Sequence, residues 1–154
     1  MKVDQTRELV QLYVDEKKKV LDDFPVNDVV MIADRIWQTY QNGKTIYACG
    51  NGGNAAYVAN LVCDFANHPF VSDDKSKAMP SGIPRFRTVD LVSSGATLTG
   101  IMNDLGAGEI FAQQLINDKI TQGDIVIGIS GSGNSGNILK AFEVAKSNGA
   151  HTIA

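Results

Sequence analysis

Residues 124–135 read Asp-Ile-Val-Ile-Gly-Ile-Ser-Gly-Ser-Gly-Asn-Ser, an unbroken apolar run cut off by glycines and serines and followed at once by helical spacing. An apolar run without polar alternation is the mark of a strand buried on both faces, which requires a parallel sheet covered by helices on both sides. The same grammar occurs earlier: Thr45-Ile46-Tyr47-Ala48-Cys49 ends at Gly50-Asn51-Gly52-Gly53-Asn54 and gives way to apolar residues at helical intervals. A third strand is expected near 88–92. This alternation predicts a three-layer αβα domain, a doubly wound parallel sheet joined by right-handed crossovers.

The rest of the chain fits around that sheet. Leu9, Val10, Tyr13, Val14, Val20 and Leu21 fall at three- and four-residue intervals and predict a helix over 4–22. Pro25 keeps Phe24 out of helical space. A second helix is expected over 28–41, capped by Asn27 or Asp28, with Val29, Val30, Ile32, Ala33, Ile36, Trp37 and Tyr40 on one broad stripe and Asn42-Gly43 closing it. Helices are further predicted over 54–67, from about 97 to 119, and over 134–148, with a long loop at 70–87 that has room for one helical turn. Residues 151–154 read as the start of another strand. The expected organisation is one domain over 1–154: an N-terminal helical hairpin at 1–43 and a parallel α/β core at 44–154 that lacks its C-terminal part. The two N-terminal helices carry more apolar surface than one face of a small sheet needs, so they are expected to pair with another copy of the chain.

Composition narrows the function classes. A net charge of -3 argues against nucleic acid as the main ligand. The one basic run, Lys17-Lys18-Lys19, is flanked by Asp15, Glu16, Asp22 and Asp23 and reads as a solvated helix face. No apolar stretch approaches the roughly 20 residues that span a bilayer, and no leader segment is expected. Two cysteines, Cys49 and Cys63, lack both disulfide-framework and metal-ligand spacing, so a buried small residue is the better reading of each. A cytoplasmic location is the resulting expectation.

Ligands of open parallel sheets bind beyond the carboxyl ends of the strands. Two loops at that edge run directly into helix N-termini, where free backbone amides and the helix dipole favour an anion. Glycines at 50, 52, 53, 131 and 133 let the backbone approach a ligand closely. Ser130, Ser132 and Ser135 add hydroxyl donors that can surround one phosphate, and Ser93, Ser94, Thr97 and Thr99 form a further hydroxyl cluster after the second strand. Gly131-x-Gly133-x-x-Gly136 also satisfies the dinucleotide fingerprint literally. That motif belongs after the first strand of its unit with an acidic residue about 20 positions on. Gly131 follows the third strand, and Gly50-x-Gly52-x-x-Ala55, which meets the relaxed form after the first, has a polar loop 20 positions past Gly53. A nucleotide-binding protein is therefore the weaker alternative.

At these residues the sequence resembles the SIS (sugar isomerase) domain family, most closely its phosphoheptose isomerase branch, of flavodoxin-like architecture. The matching pieces are Gly50-Asn51-Gly52-Gly53-Asn54, Asn103-Asp104 followed by Ile110-Phe111, and Gly128-Ile129-Ser130-Gly131-Ser132-Gly133-Asn134-Ser135. Their order and spacing agree over roughly 40–150, and the two N-terminal helices fit as well. The branch also includes a replication-initiator-associating protein that keeps the fold. The resemblance implies that Asn51, Gly52, Gly53, Asn54, Ser94, Ser130, Gly131, Ser132 and Ser135 hold a sugar phosphate. It implies, too, a homotetramer whose N-terminal helices pack together.

The departures from the family bear on catalysis. The isomerase branch places His and then Glu four residues apart on the helix after the first loop, as metal ligand and acid/base; here Asn60 and Asp64 stand there. Asparagine cannot shuttle a proton and ligates metal poorly, so no metal and no other cofactor is expected. Asp64 is left as the one acid/base candidate. His68 continues the same face but precedes Pro69, which favours a surface role. Two readings therefore stand: an aldose–ketose isomerase acting on a phosphosugar, and a non-catalytic phosphosugar-binding regulatory or assembly module.

Overall fold

The computed structural model describes residues 3–71 and 82–154, which form two compact units dividing between Asp34 and Arg35. The first unit contains helix α1 (Val3–Asp22) and the start of α2 (Val26–Gln41). The second alternates as expected: β1 (Thr45–Gly50), α3 (Gly53–Asn67), β2 (Arg87–Asp90), α4 (Gly95–Asp104), α5 (Ala112–Asn117), β3 (Ile125–Ile129), α6 (Gly136–Ser147) and β4 (His151–Ile153). All strand pairs are parallel, in the order β2-β1-β3-β4, with Tyr47 opposite Val89 on one side and Val126 on the other.

That order fixes where a ligand can sit. From β1 the chain steps one way to β2, then crosses back over β1 to β3. With right-handed crossovers the two steps place their helices on opposite faces. The core divides accordingly. Ile46, Ala48, Ile125 and Ile127 face Val58, Leu61, Val62 and Phe65 of α3 and Ile36 of α2, whereas Tyr47, Cys49 and Val126 face Phe111, Leu115, Ile138 and Ala141 on the side of α5 and α6. Strand β1 is buried along its whole length, as its unbroken apolar run requires. Tyr40, Phe86 and Phe65 continue the α3 side as a chain of ring contacts with centroids 4.6 and 5.3 Å apart.

Two expectations need correction. The helix foreseen from about 97 to 119 is two helices, because Gly106 takes φ 98° and the amides of Leu105 and Gly106 turn back onto the carbonyls of Ile101 and Met102. That is a glycine-type helix stop; a 3-10 turn at Ala107–Glu109 then leads into α5. Neither Asn27 nor Asp28 caps α2, which begins two residues earlier than expected, at Val26, with the Val29 amide already bonded to the Pro25 carbonyl. A 3-10 turn at His68–Phe70 precedes the long loop, whose residues 72–81 lie outside the described residues.

One glycine sets the position of α6. A Cβ on Gly128 would lie 2.6 Å from both Ile138 Cγ2 and Phe142 Cζ, so the helix seats directly against β3 and its first turn stays beside the strand end. Lys18 and Lys19 pair with Asp15 and Glu16 on exposed α1, the solvated face read from the sequence.

Candidate functional site

The loops after β1 and β3 leave adjacent strands toward opposite faces, which makes the β1/β3 edge the topological switch point and opens a crevice there. In the first loop Gly52 takes φ 56° and ψ -124°, a conformation an L side chain resists, and α3 starts at the next residue. Gly50 is confined for another reason: a Cβ there would come within 3.0–3.1 Å of Asn54. The structure thus brings Asn51, Gly52, Gly53 and Asn54 to the same edge as Ser130, Gly131, Ser132 and Ser135.

The serine loop is ordered by its own hydroxyls. Ser130 Oγ and Ser135 Oγ lie 2.9 Å apart across the loop. Two hydroxyls carry two protons and their mutual bond uses one, so one donor is left for a ligand. Ser135 occupies the N-cap of α6 without bonding its amides through the side chain. At the tip, Ser132 Oγ accepts from the Asn134 amide at 3.2 Å, and Asn134 Nδ2 donates to the Ser132 carbonyl at 3.0 Å. Gly133 at φ 69° closes this turn. Of the first amides of α6, that of Ile138 is taken by the Ser135 carbonyl, and the first two, of Gly136 and Asn137, have no acceptor within the helix, as at any helix start.

The two loops are tied to each other. Asn51 Nδ2 donates to Asn137 Oδ1 and Asn137 Nδ2 donates to Asn51 Oδ1, each at 2.9 Å. The Ile138 amide also donates to Asn137 Oδ1 at 3.0 Å, which fixes that carboxamide's orientation and through it that of Asn51.

From Asn54 a groove of about 750 Å³ runs along α3, lined by Asn54, Tyr57, Asn60, Leu61, Asp64 and Phe65, by His68 and Pro69, and by Ile129 at the end of β3. Its size is that of a small-molecule site. Asp64 is the carboxylate at its centre. Asn60 Nδ2 donates to its Oδ2 at 3.0 Å, and His68 Nδ1 lies 3.4 Å from its Oδ1. With a rise of 1.5 Å per residue, Asp64 lies about 15 Å along the helix from Asn54 and His68 about 21 Å. His68 therefore stands behind the carboxylate as seen from the loops.

Of the described residues, Asp64 and His68 are the two metal-ligating side chains beside this groove, whereas a catalytic zinc takes about three of the His, Cys or carboxylate type. Among the described residues no three such groups come together. Ser94 is placed at the same edge, after β2, but its hydroxyl caps α4, accepting from the Thr97 amide at 3.2 Å and from Thr97 Oγ1 at 2.8 Å. Asn103 and Asp104 bond each other on exposed positions. Cys49 carries no chemistry: it is fully buried, and burial pushes its thiol up to about 12. Tyr57 and Asn137 are additions to the expected set. Helical spacing from Asn60 and Asp64 points to Tyr57, whereas nothing in the sequence pairs Asn137 with a residue 86 positions away.

Comparison with known proteins gives the family. The family model of the SIS domain matches residues 13–154. A probable phosphoheptose isomerase of Thermoplasma acidophilum is 30% identical over 142 residues, covering 92% of this chain and 72% of the relative. The phosphoheptose isomerase of Aneurinibacillus thermoaerophilus is 33% identical over 147 residues, covering 95% and 69%. Among solved structures, phosphoheptose isomerase from Neisseria gonorrhoeae superposes with a TM-score of 0.77 at 27% identity, covering 96% of this chain and 72% of that one. With its parallel sheet, its paired loops at the switch point and these relatives, the chain belongs to the SIS domain family.

Proposed function

We propose that this chain is a sugar-phosphate isomerase of the phosphoheptose type, interconverting an aldose and a ketose phosphate. One observation carries the site assignment: the serine loop and the Asn-Gly-Gly loop are locked side by side at the switch point, with a groove leading from them to a single carboxylate. In this reading Ser130, Ser132 and Ser135, with the first amides of α6, hold the phosphate. The sugar chain then lies along α3. Asp64 removes the proton from the carbon next to the carbonyl, giving an enediol, and returns it to the former carbonyl carbon. A hydroxyl proton passes between the two oxygens, so the reaction is internally redox-neutral. Phosphate binding remote from the bond changes supplies orientation. Two free cysteines, one of them exposed, fit a cytoplasmic setting, and no helix among the described residues is long and apolar enough to cross a membrane.

The test is a titration with a heptose phosphate. Ser132→Ala is expected to weaken binding by about 1–2 kcal/mol, the scale of one hydrogen bond to a charged group. Equal affinity in the alanine variants of Ser130, Ser132 and Ser135 would show that the phosphate sits elsewhere. The second reading, a binding module without turnover, draws support from Asn60, whose amide occupies the Asp64 carboxylate where the isomerase branch has an imidazole. Product detection with a panel of aldose and ketose phosphates separates the two.

The proposal extends to assembly as a homo-oligomer, a tetramer through the N-terminal helices. α1 has no buried residue, and Leu9, Val10, Tyr13, Val20 and Leu21 on it are all more than half exposed. An apolar surface of this kind calls for a partner. Light scattering at micromolar concentration should give a mass near four chains; a folded monomer would rule the assembly out.

A further inference from the structure

We infer that Asn137 is a positioning residue for the phosphate site, acting through Asn51, so that the pair works as a clasp joining the two ligand-facing loops. The inference rests on the phosphate reading above and adds a residue to it. A glycine-rich loop has little of its own to hold it: Gly52 and Gly53 have no atom within 4 Å of where a Cβ would stand. Such a loop gains most from an outside anchor, because freezing glycine backbone costs more entropy than freezing any other. Asn137 is that anchor. It sits in the first turn of α6, which Gly128 seats directly against β3, and its Oδ1 is held in turn by the Ile138 amide.

The stoichiometry of the carboxamides supports a role beyond structure. Asn137 Oδ1 accepts twice, from Asn51 and from Ile138, and so has no lone pair left. Asn51 gives one N–H and one lone pair to the clasp and keeps one of each. The clasp therefore leaves each carboxamide one free N–H, and only Asn137 has a second anchor, the Ile138 amide, so orientation passes from Asn137 to the free donor of Asn51. Asn51 touches the ligand and Asn137 decides where Asn51 stands.

The test is a double-substitution cycle on the full chain, read as affinity for inorganic phosphate by calorimetry and as KM and kcat on a heptose phosphate. Asn137→Ala is expected to weaken phosphate binding and raise KM each about tenfold, with kcat within about threefold of the parent, and to add less than about twofold once Asn51 is already alanine. A tenfold change corresponds to about 1.4 kcal/mol. Asn137→Ser, whose hydroxyl can still accept from the Ile138 amide but cannot reach Asn51, should show the same loss and separates the clasp from simple capping. Losses that multiply in the double variant, or Asn137 variants that bind like the parent, overturn the positioning role and leave the phosphate reading standing. A parent protein that binds neither phosphate nor heptose phosphate overturns the phosphate reading, and this inference with it.

Discussion

Replacing Asp64 by asparagine is expected to lower the isomerase kcat by about 10²–10⁴-fold, the usual worth of a positioned general base. Affinity for a phosphosugar should stay within about threefold, less than about 0.7 kcal/mol. The split follows from where the residue sits. The proposed phosphate contacts lie at the loop end of α3, whose first turn is about 15 Å along the helix from Asp64 by the helical rise, so removing a basic oxygen there leaves them untouched. The carboxamide keeps the shape of the carboxylate, and with a flipped amide it can still accept from Asn60 or donate within the groove. What it loses is the capacity to take a proton from carbon. Single-turnover kinetics with calorimetry on the same preparation reads both quantities. Turnover within tenfold of the parent would place the base on another residue and leave the binding site as described.

His68 modulates this expectation without replacing it. Its imidazole lies 3.4 Å from Asp64 on the side away from the loops, and the side chain is 74% exposed. It lies one helical turn further from the loops than Asp64, about 6 Å along the axis. An orienting contact to Asp64 suits that position better than contact with the reacting carbons.

The fold was largely legible because one signal, the buried strand ending in a glycine loop, is local. β1 and β3 fall within a residue of the ranges read from their apolar runs, since a strand buried on both faces admits no polar residue before its end. The split of α4 from α5 was not legible, because Leu105-Gly106 stops a helix only when the glycine adopts positive φ, and tertiary packing decides that. The site divides the same way. Its serines and glycines announce themselves by composition, whereas Asp64 stands out only through the family resemblance, as the carboxylate where the isomerase branch has a glutamate. The Asn51–Asn137 clasp is invisible in one dimension, since it depends on β1 and β3 being neighbours, and that order is a property of the whole sheet. Ser94 shows a role that the pattern does not reveal: a serine at the ligand edge whose hydroxyl is also the N-cap of its own helix.

The largest stability effect is expected at the far end of the sheet, from Asp124→Ala. Asp124 is 4% exposed, and its carboxylate accepts from the Thr45 amide at the start of β1 and from the Thr121 amide, each at 2.9 Å. Its own carbonyl receives the amide of His151, the first residue of β4. One side chain thus joins the entry of β1 to the turn that launches β3, and its backbone adds the neighbouring strand. Alanine would leave the buried Thr45 amide without an acceptor, at about 1–3 kcal/mol, and losing the part-buried bond from the Thr121 amide would cost about 1 kcal/mol more. A loss of about 3 kcal/mol is therefore expected, which for a chain of this size lowers the melting temperature by about 6–12 °C. The Glu109–Lys140 pair provides the contrast. Lys140 and Gln113 hold the Glu109 carboxyl below the usual carboxylate range, yet Lys140 is half exposed and water screens the pair. Asp124→Asn should lose about half as much as alanine, since its one carbonyl oxygen can serve one of the two amides while the NH₂ faces the other. Thermal melts of both variants check the ranking. Because Asp124 sits opposite the ligand edge, the folded fraction of either variant should bind a heptose phosphate as the parent does; a melting temperature within 2 °C of the parent for Asp124→Ala would show that the two amides find other acceptors.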